Sequence, residues 1–551
     1  MKAGRSELRR YTRRMGRWSS AALLTILGIG AFLAGLELMI TAVALPAIVN
    51  DIADWTELRR ASWIINGYLL VYIVTMPLAG RLADLVGARR LFLGALVLFG
   101  LGSALAGRAQ SLDELIVARL VQGLGGGVLI PVATAGASHL FDGRARPRAL
   151  GIVGALTFLG MAAGPFVGAA ILGAFHPEVA LARYGLEGGP LASVVAPAWR
   201  WVFYVNLPIG LAIGALAWAL NWDTPRRTGR VDVVGALVFT IGLGAAVVGL
   251  TLIGSTETVA GQSPESAVYA LLAVAALATL VTVLMGLRNA DPFIDPRLFR
   301  IPAFGSAAGV SLLTGYGFAT AIIGGAVFVD RVLYGGPDQQ RIALGALAAA
   351  TAAGALVSGL LLRAIGLRTV TIVGLTASTV GLVRAAGWTP ASSIGEVALW
   401  LAVFGAGFGL TVTPRSTAAV EAVGRAAYGM ASATVTVARM IGMSVGLAIL
   451  TAYGSTTIDR LSASVYATPD AYKAFIPVAL RDRPLRDGQV VQALEDWASG
   501  QAAEIMVGIF LVAAALTVVA MPLALAMGRR GSGTRMLAPD GRDDPDPGRA
   551  A

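Results

Sequence analysis

The chain runs to 551 residues, of which 56% are hydrophobic and 14% charged; an ordinary soluble domain carries about 25% charge. With a mean hydropathy of +0.73 the sequence cannot cover a water-soluble surface, so a soluble enzyme, a nucleic-acid binder and a disordered regulator are excluded as whole-chain readings. The net charge is +11, there is no cysteine, and the only histidines are His139 and His176, so no metal centre and no cofactor are expected.

In chain order, the apolar windows predict helices. Backbone polar groups in lipid must be satisfied within the segment, and these windows are too long for barrel strands. Residues 1–20 form a basic arm. The run behind it exceeds the apolar core of a signal peptide and carries Glu37, so it reads as a retained first span. Six windows, near 21–49, 61–80, 91–110, 112–137, 148–173 and 201–220, make an N-terminal half over 21–220. Two more, near 231–253 and 266–288, form an inserted linker over 231–288. The last six, near 303–329, 341–362, 367–388, 396–420, 428–453 and 504–527, make a C-terminal half over 303–527. Its long outer loop, 454–503, sets Tyr466, Tyr472, Phe475 and Trp497 among charges and predicts a small ordered cap or helical extensions beyond the bilayer. The Gly-, Pro- and Asp-rich tail 528–551 is expected to be disordered. The expected fold is all-α and integral to the membrane, with fourteen spans in a 6 + 2 + 6 order.

Lysines and arginines are about twice as frequent on the side of both termini as on the other, which places the termini in the cytoplasm and the protein in the cytoplasmic membrane. Such a basic face suits anionic lipid headgroups, and no nucleic-acid partner is needed to explain it. The spacing Gly80…Gly87-Ala-Arg89 returns as Gly359…Gly366-Leu-Arg368 after the second span of the other half. The echo predicts two pseudosymmetric six-helix halves.

Few charges fall inside the spans. Glu37 is the one acid, and an intramembrane carboxylate is a functional candidate by default. Burial favours its neutral form and a nearby arginine its charged form, a conflict that suits a proton-coupling site; the bland alternative is a structural ion pair with Arg119 or Arg439. Arg415, near the inner end of its span, is expected to snorkel. Asp84 reads as a loop carboxylate near the start of helix 3, either solvated or latched onto a helix N-terminus or a basic side chain. Gly160-x-x-x-Gly164-Pro165 permits close helix approach and a bend. Tyr68 and Tyr72, one turn apart, read as packing before substrate contact.

In these motifs the chain resembles the major facilitator superfamily, in particular its fourteen-helix drug:proton antiporter branch. Leu36-Glu37 with Ala44-Leu45-Pro46 resembles the branch's helix-1 signature, with Glu where Asp is usual. Gly80 to Arg90 resembles the loop between helices 2 and 3, keeping Gly80, Leu82, Asp84, Gly87 and Arg89 but carrying Leu85 and Ala88 where basic residues are usual. Arg119-Leu-Val-Gln122-Gly123 resembles the helix-4 motif. Gly151, Gly160, Gly164, Pro165 and Gly168 match the helix-5 antiporter motif, with Ala169 replacing its last glycine. Trp199-Arg-Trp-Val-Phe-Tyr-Val-Asn206-Leu-Pro208 resembles the start of helix 6. Gly429-Met-Ala-Ser, Val-Ala-Arg439-Met, Phe328-Val-Asp330 and the long last outer loop are similar to the mycobacterial triacylglyceride and multidrug exporters that work with a lipid-binding lipoprotein.

The resemblance implies a proton-coupled antiporter, not an enzyme, that exports hydrophobic or amphipathic drugs or lipids by alternating access. It implies Glu37, Arg119 and Arg439 in proton coupling, and a latch of Asp84 with Gly80, Gly87 and Arg89. Gly151, Gly160, Gly164, Pro165 and Gly168 would form a hinge, with Asp330 and Tyr68 at an outer gate or substrate contact. Expected partners are protons, hydrophobic small molecules, membrane lipids and an extracytoplasmic lipoprotein, with the chain itself monomeric. A dedicated lipid exporter, and a non-transporting receptor or lipid-binding scaffold, stay open as alternatives.

Overall fold

A computed structural model describes residues 17–52, 61, 63–141, 145–185, 189–220, 222, 232–253, 264–289, 291–423, 428–465, 468 and 470–528. Most of the basic arm and nearly all of the tail 528–551 lie outside the described residues. Among those described, every regular element is helical.

The chain forms α1 (Arg17–Ile52), α2 (Trp63–Val86), α3 (Ala88–Arg108), α4 (Leu112–Leu140) and α5 (Arg146–Ala174). Two short helices, Pro177–Arg183 and Pro190–Val195, lead to α6 (Arg200–Ala219). Next come α7 (Val233–Thr251), α8 (Pro264–Arg288) and α9 (Pro302–Val327), which ends in a π-turn over Phe328–Val332. The last are α10 (Pro337–Ala385), α11 (Ile394–Glu421), α12 (Tyr428–Val465) and α13 (Gly488–Ala526). Among the described residues, twelve helices are long and apolar enough to cross a membrane. One of the twelve holds both arms of α10, which break at Gly366, where φ is 80° and ψ 167°. Local chemistry sets several starts. Ser111 Oγ accepts from the Glu114 amide at 3.3 Å while Glu114 accepts from the Gln110 amide at 2.8 Å, closing the first turn of α4. Ser393 caps α11 in the same way.

The loop expected at Gly80 is not a loop. α2 continues as helix through Asp84 to Val86, because Arg-Leu-Ala-Asp-Leu-Val contains no breaker. The chain turns instead at Gly87, with φ 97°. Gly366 holds the same place in the second half, so both copies of the repeat use a left-handed glycine to end a span.

Backbone contacts organise the bundle. A Cβ on Gly160 would overlap the Phe32 carbonyl and one on Gly35 the Thr157 carbonyl, so α1 and α5 touch without side chains between them. α9 and α12 repeat this in the second half, with Gly315 against the Arg439 carbonyl and Gly442 against that of Leu312. The halves meet along two seams, α5 against the first arm of α10 and α2 against α12. At the α4–α5 end the first seam is tight: a Cβ on Gly359 would lie 2.8 Å from the Pro147 carbonyl, and one on Gly151 2.9 Å from that of Ala355. Arg81, at the end of α2, pairs with Asp291 beyond α8, tying the segment after α8 to α2.

α12 and α13 reach past the apolar windows into a small cap. Val465, Tyr472, Ile476 and Val490 are buried there, and Phe475 lies 4.7 Å from Trp497. Tyr472 donates to the Arg483 carbonyl at 2.9 Å, and Tyr334 to that of Glu495 at 2.8 Å. Lys473 binds Asp470 at 2.7 Å, and that hydrogen bond raises the pKa of its ammonium group.

Candidate functional site

Among the described residues, the interior of the first half holds one fully buried acid, Glu37, on α1. Arg119 on α4 pairs with its Oε1. Thr41, one turn along α1, donates to the same oxygen at 3.1 Å. Asn206, at the start of the main run of α6, donates to Oε2 at 2.6 Å. Arg119 is fixed in turn. Its Nε donates to the Ile64 carbonyl at 3.0 Å, its Nη1 also donates to Gln122 Oε1 at 2.6 Å, and Gln122 donates to Ser103 at 2.8 Å. The guanidinium lies over the Tyr68 ring, 4.0 Å from its centroid. Five helices therefore converge on one ion pair. An ion pair out of water survives only when its remaining lone pairs and protons are satisfied in this way.

The structure brings together Glu37, Arg119 and Tyr68 among the predicted residues, and leaves Arg439 apart. Arg439 does not pair with Glu37: it lies over the Phe158 ring at 5.2 Å, across the seam. Arg415 does not snorkel. It is buried, donating to the Thr411 carbonyl at 3.0 Å and to Thr314 Oγ1 at 2.5 Å, because α9 supplies an acceptor beside it. Arg89 donates to the Trp218 carbonyl at 2.5 Å. Gly80 and Gly87 stand near and at the end of α2; the Asp84 side chain lies outside the described residues. Gly160, Gly164 and Gly168 face α1 and Gly151 faces α10, while α5 runs through Pro165 unbroken. Asp330 sits in the π-turn, far from Glu37 in the fold, beside Arg331 at 3.1 Å and Gln340 at 3.5 Å.

The sequence reading assigned no role to Asn206, Gln122, Thr41 or Ser103. Asn206 and Gln122 stand inside quoted motifs, and an uncharged amide in an apolar run was the available signal. At the second centre, Phe158 of α5 meets Phe318 of α9 and Phe408 of α11 edge-on, each at 5.4 Å, and the latter two stack at 4.4 Å. Toward the α1–α2 end, Met39, Met161, Pro165, Phe318, Ile322 and Leu347 line a crevice along the α5–α10 seam that is apolar except for Arg341.

Long apolar helices packed around a buried ion pair are the architecture of a multi-pass membrane protein. Residues 27–447 match the Major Facilitator Superfamily model, and the chain belongs to that transporter superfamily. It is 32% identical over 473 residues to a triacylglyceride transporter of Mycolicibacterium hassiacum, covering 83% of each chain. It is 27% identical to a multidrug resistance protein B homolog of Mycobacterium tuberculosis, covering 80% of this chain and 78% of that one. Among solved structures, an inward-facing, unoccupied bacterial homolog of the human lysosomal transporter Spinster aligns with a TM-score of 0.56 at 16% identity, covering 93% of this chain and 99% of that one. That likeness speaks to the fold.

Proposed function

We propose that this transporter is a proton-coupled antiporter that exports hydrophobic or amphipathic compounds by alternating access, with lipids of the triacylglyceride kind as the favoured cargo. The observation that carries the coupling is Glu37, a carboxylate without water access whose two oxygens are both held by hydrogen-bond donors. Moving α1 against α4 or α6 alters that donor set, and with it the hold on a proton. The cargo reading is supported by the apolar crevice at the seam and by the likeness to triacylglyceride transporters.

In this reading the two arms of α10 count as separate spans and α12 adds another, which gives fourteen in a 6 + 2 + 6 order with α7 and α8 as the insert. Both termini lie in the cytoplasm by the positive-inside rule. The glycine contacts of α5 let it move along α1 and α10. Asp84, with Gly80, Gly87 and Arg89, latches the cytoplasmic side, and Asp84→Asn should slow cycling without preventing membrane insertion. The cap between α12 and α13 receives cargo or docks a lipoprotein outside, and the carrier acts as a monomer.

The test is efflux of a lipid or drug probe from proteoliposomes under an imposed pH gradient. Glu37→Gln should abolish the response to the gradient while leaving probe binding, and Glu37→Asp should retain part of it. A Gln variant that follows the gradient like the parent would make Glu37 a structural partner only.

A further inference from the structure

Charge in the second half is distributed differently from charge in the first. Arg415 and Arg439 are both buried, at 2% and 9% exposure, and lie over two phenylalanine rings, Phe408 and Phe158, that touch each other. Among the described residues no carboxylate lies within ion-pair distance of either; the buried carboxylate, Glu37, is taken by Arg119. Arg415 spends two donors on Thr411 and Thr314. Arg439 donates to no described residue, and its Nε is sealed without an acceptor. Two desolvated guanidinium groups, one of them with a sealed and unused donor, are costly in a membrane protein unless something anionic shares the site.

Their position suggests what that is. Arg439 lies over Phe158 and Arg415 over Phe408. Those two rings meet edge-on, and Phe318, which touches both, also lines the apolar crevice. Three phenylalanines from both halves thus join the two guanidinium groups to the edge of the apolar crevice.

We propose that Arg415 and Arg439 form a binding site for the anionic head group, a carboxylate or phosphate, of an amphiphile whose chain occupies the crevice beyond Phe318. Guanidinium forks suit either oxyanion. The inference rests on the exporter reading and adds to it the class of head group.

The test uses the full-length protein in neutral detergent at mildly alkaline pH, with direct binding of four probes: palmitate and its uncharged methyl ester, and lysophosphatidate and the uncharged monoacylglycerol of the same chain. The parent should bind at least one acid about tenfold more tightly than its neutral counterpart, and the acid preferred identifies the head group. Arg439→Gln should bring the preference to within about twofold; because Arg439 donates to no described residue, this variant should fold like the parent. Arg415→Gln should act likewise where it folds. Equal binding of acid and neutral probe by the parent, or an undiminished preference in Arg439→Gln, overturns the site. Equal binding would still leave a carrier of hydrophobic cargo standing, so the two readings fail separately.

Discussion

Asn206 donates to Oε2 of Glu37 at 2.6 Å across 169 residues of sequence, and so completes the donor set that Arg119 and Thr41 begin on Oε1. The carboxylate is thereby held from three helices, α1, α4 and α6. Replacing Asn206 by leucine removes a charge-assisted hydrogen bond worth about 1.5–3 kcal/mol. The expected outcome is a lower melting temperature in detergent and slower gradient-driven transport. Asn206→Asp, which sets a second carboxylate against Glu37, should be the harsher change on both measurements.

Arg119 is held by its fork, and an ammonium cannot reach Glu37, Gln122 and the Ile64 carbonyl together. Arg119→Ala leaves Glu37 buried and unpaired, a loss of about 3–5 kcal/mol. Such a variant should accumulate poorly in the membrane. Adding Glu37→Gln removes the stranded charge and should restore much of the yield. Expression and monodispersity of the double variant check this; no recovery would mean that Arg119 matters for its packing on Tyr68 instead.

The α1–α5 contact predicts opposite results for two glycines on one helix. A methyl group at Gly160 overlaps the Phe32 carbonyl, whereas one at Gly173 meets nothing within 4 Å. Gly160→Ala should destabilise by about 1–3 kcal/mol through overpacking. Gly173→Ala should be neutral or raise stability by about 0.5–1 kcal/mol, as alanine replaces glycine within a helix. Thermal unfolding of the two variants side by side is the measurement.

Gly87 and Gly366 both hold positive φ, and a Cβ on Gly366 would meet nothing within 4 Å. The penalty of a substitution is therefore conformational. Gly87→Ala and Gly366→Ala should each cost about 1–3 kcal/mol, and the double variant should approach the sum, since the two turns lie in different halves. A double variant no less stable than either single one would contradict their equivalence.

Much of this architecture was legible in the sequence because lipid is a strict solvent. It demands long apolar helices, so composition and window length alone determined an all-helical membrane protein, and the Gly80/Gly87 and Gly359/Gly366 spacing predicted two related halves. Motifs in register along the chain named the superfamily. Glu37 and Arg119 stood out because charge in an apolar run is rare. Which partner each charge takes was decided only in three dimensions. Glu37 had two candidate arginines, and the convergence of α1, α4 and α6 selects Arg119 while the α5–α12 contact sends Arg439 to Phe158. Arg415 looked free to reach water until α9 brought Thr314 beside it. The place where α2 ends was misread because a loop signal, Gly80, lay in a segment whose other residues favour helix, and only the backbone angle at Gly87 marks the turn. Periodicity and composition are properties of one segment in its solvent, whereas an ion pair depends on which segments are neighbours, and a linear sequence carries that information only through the packing it produces.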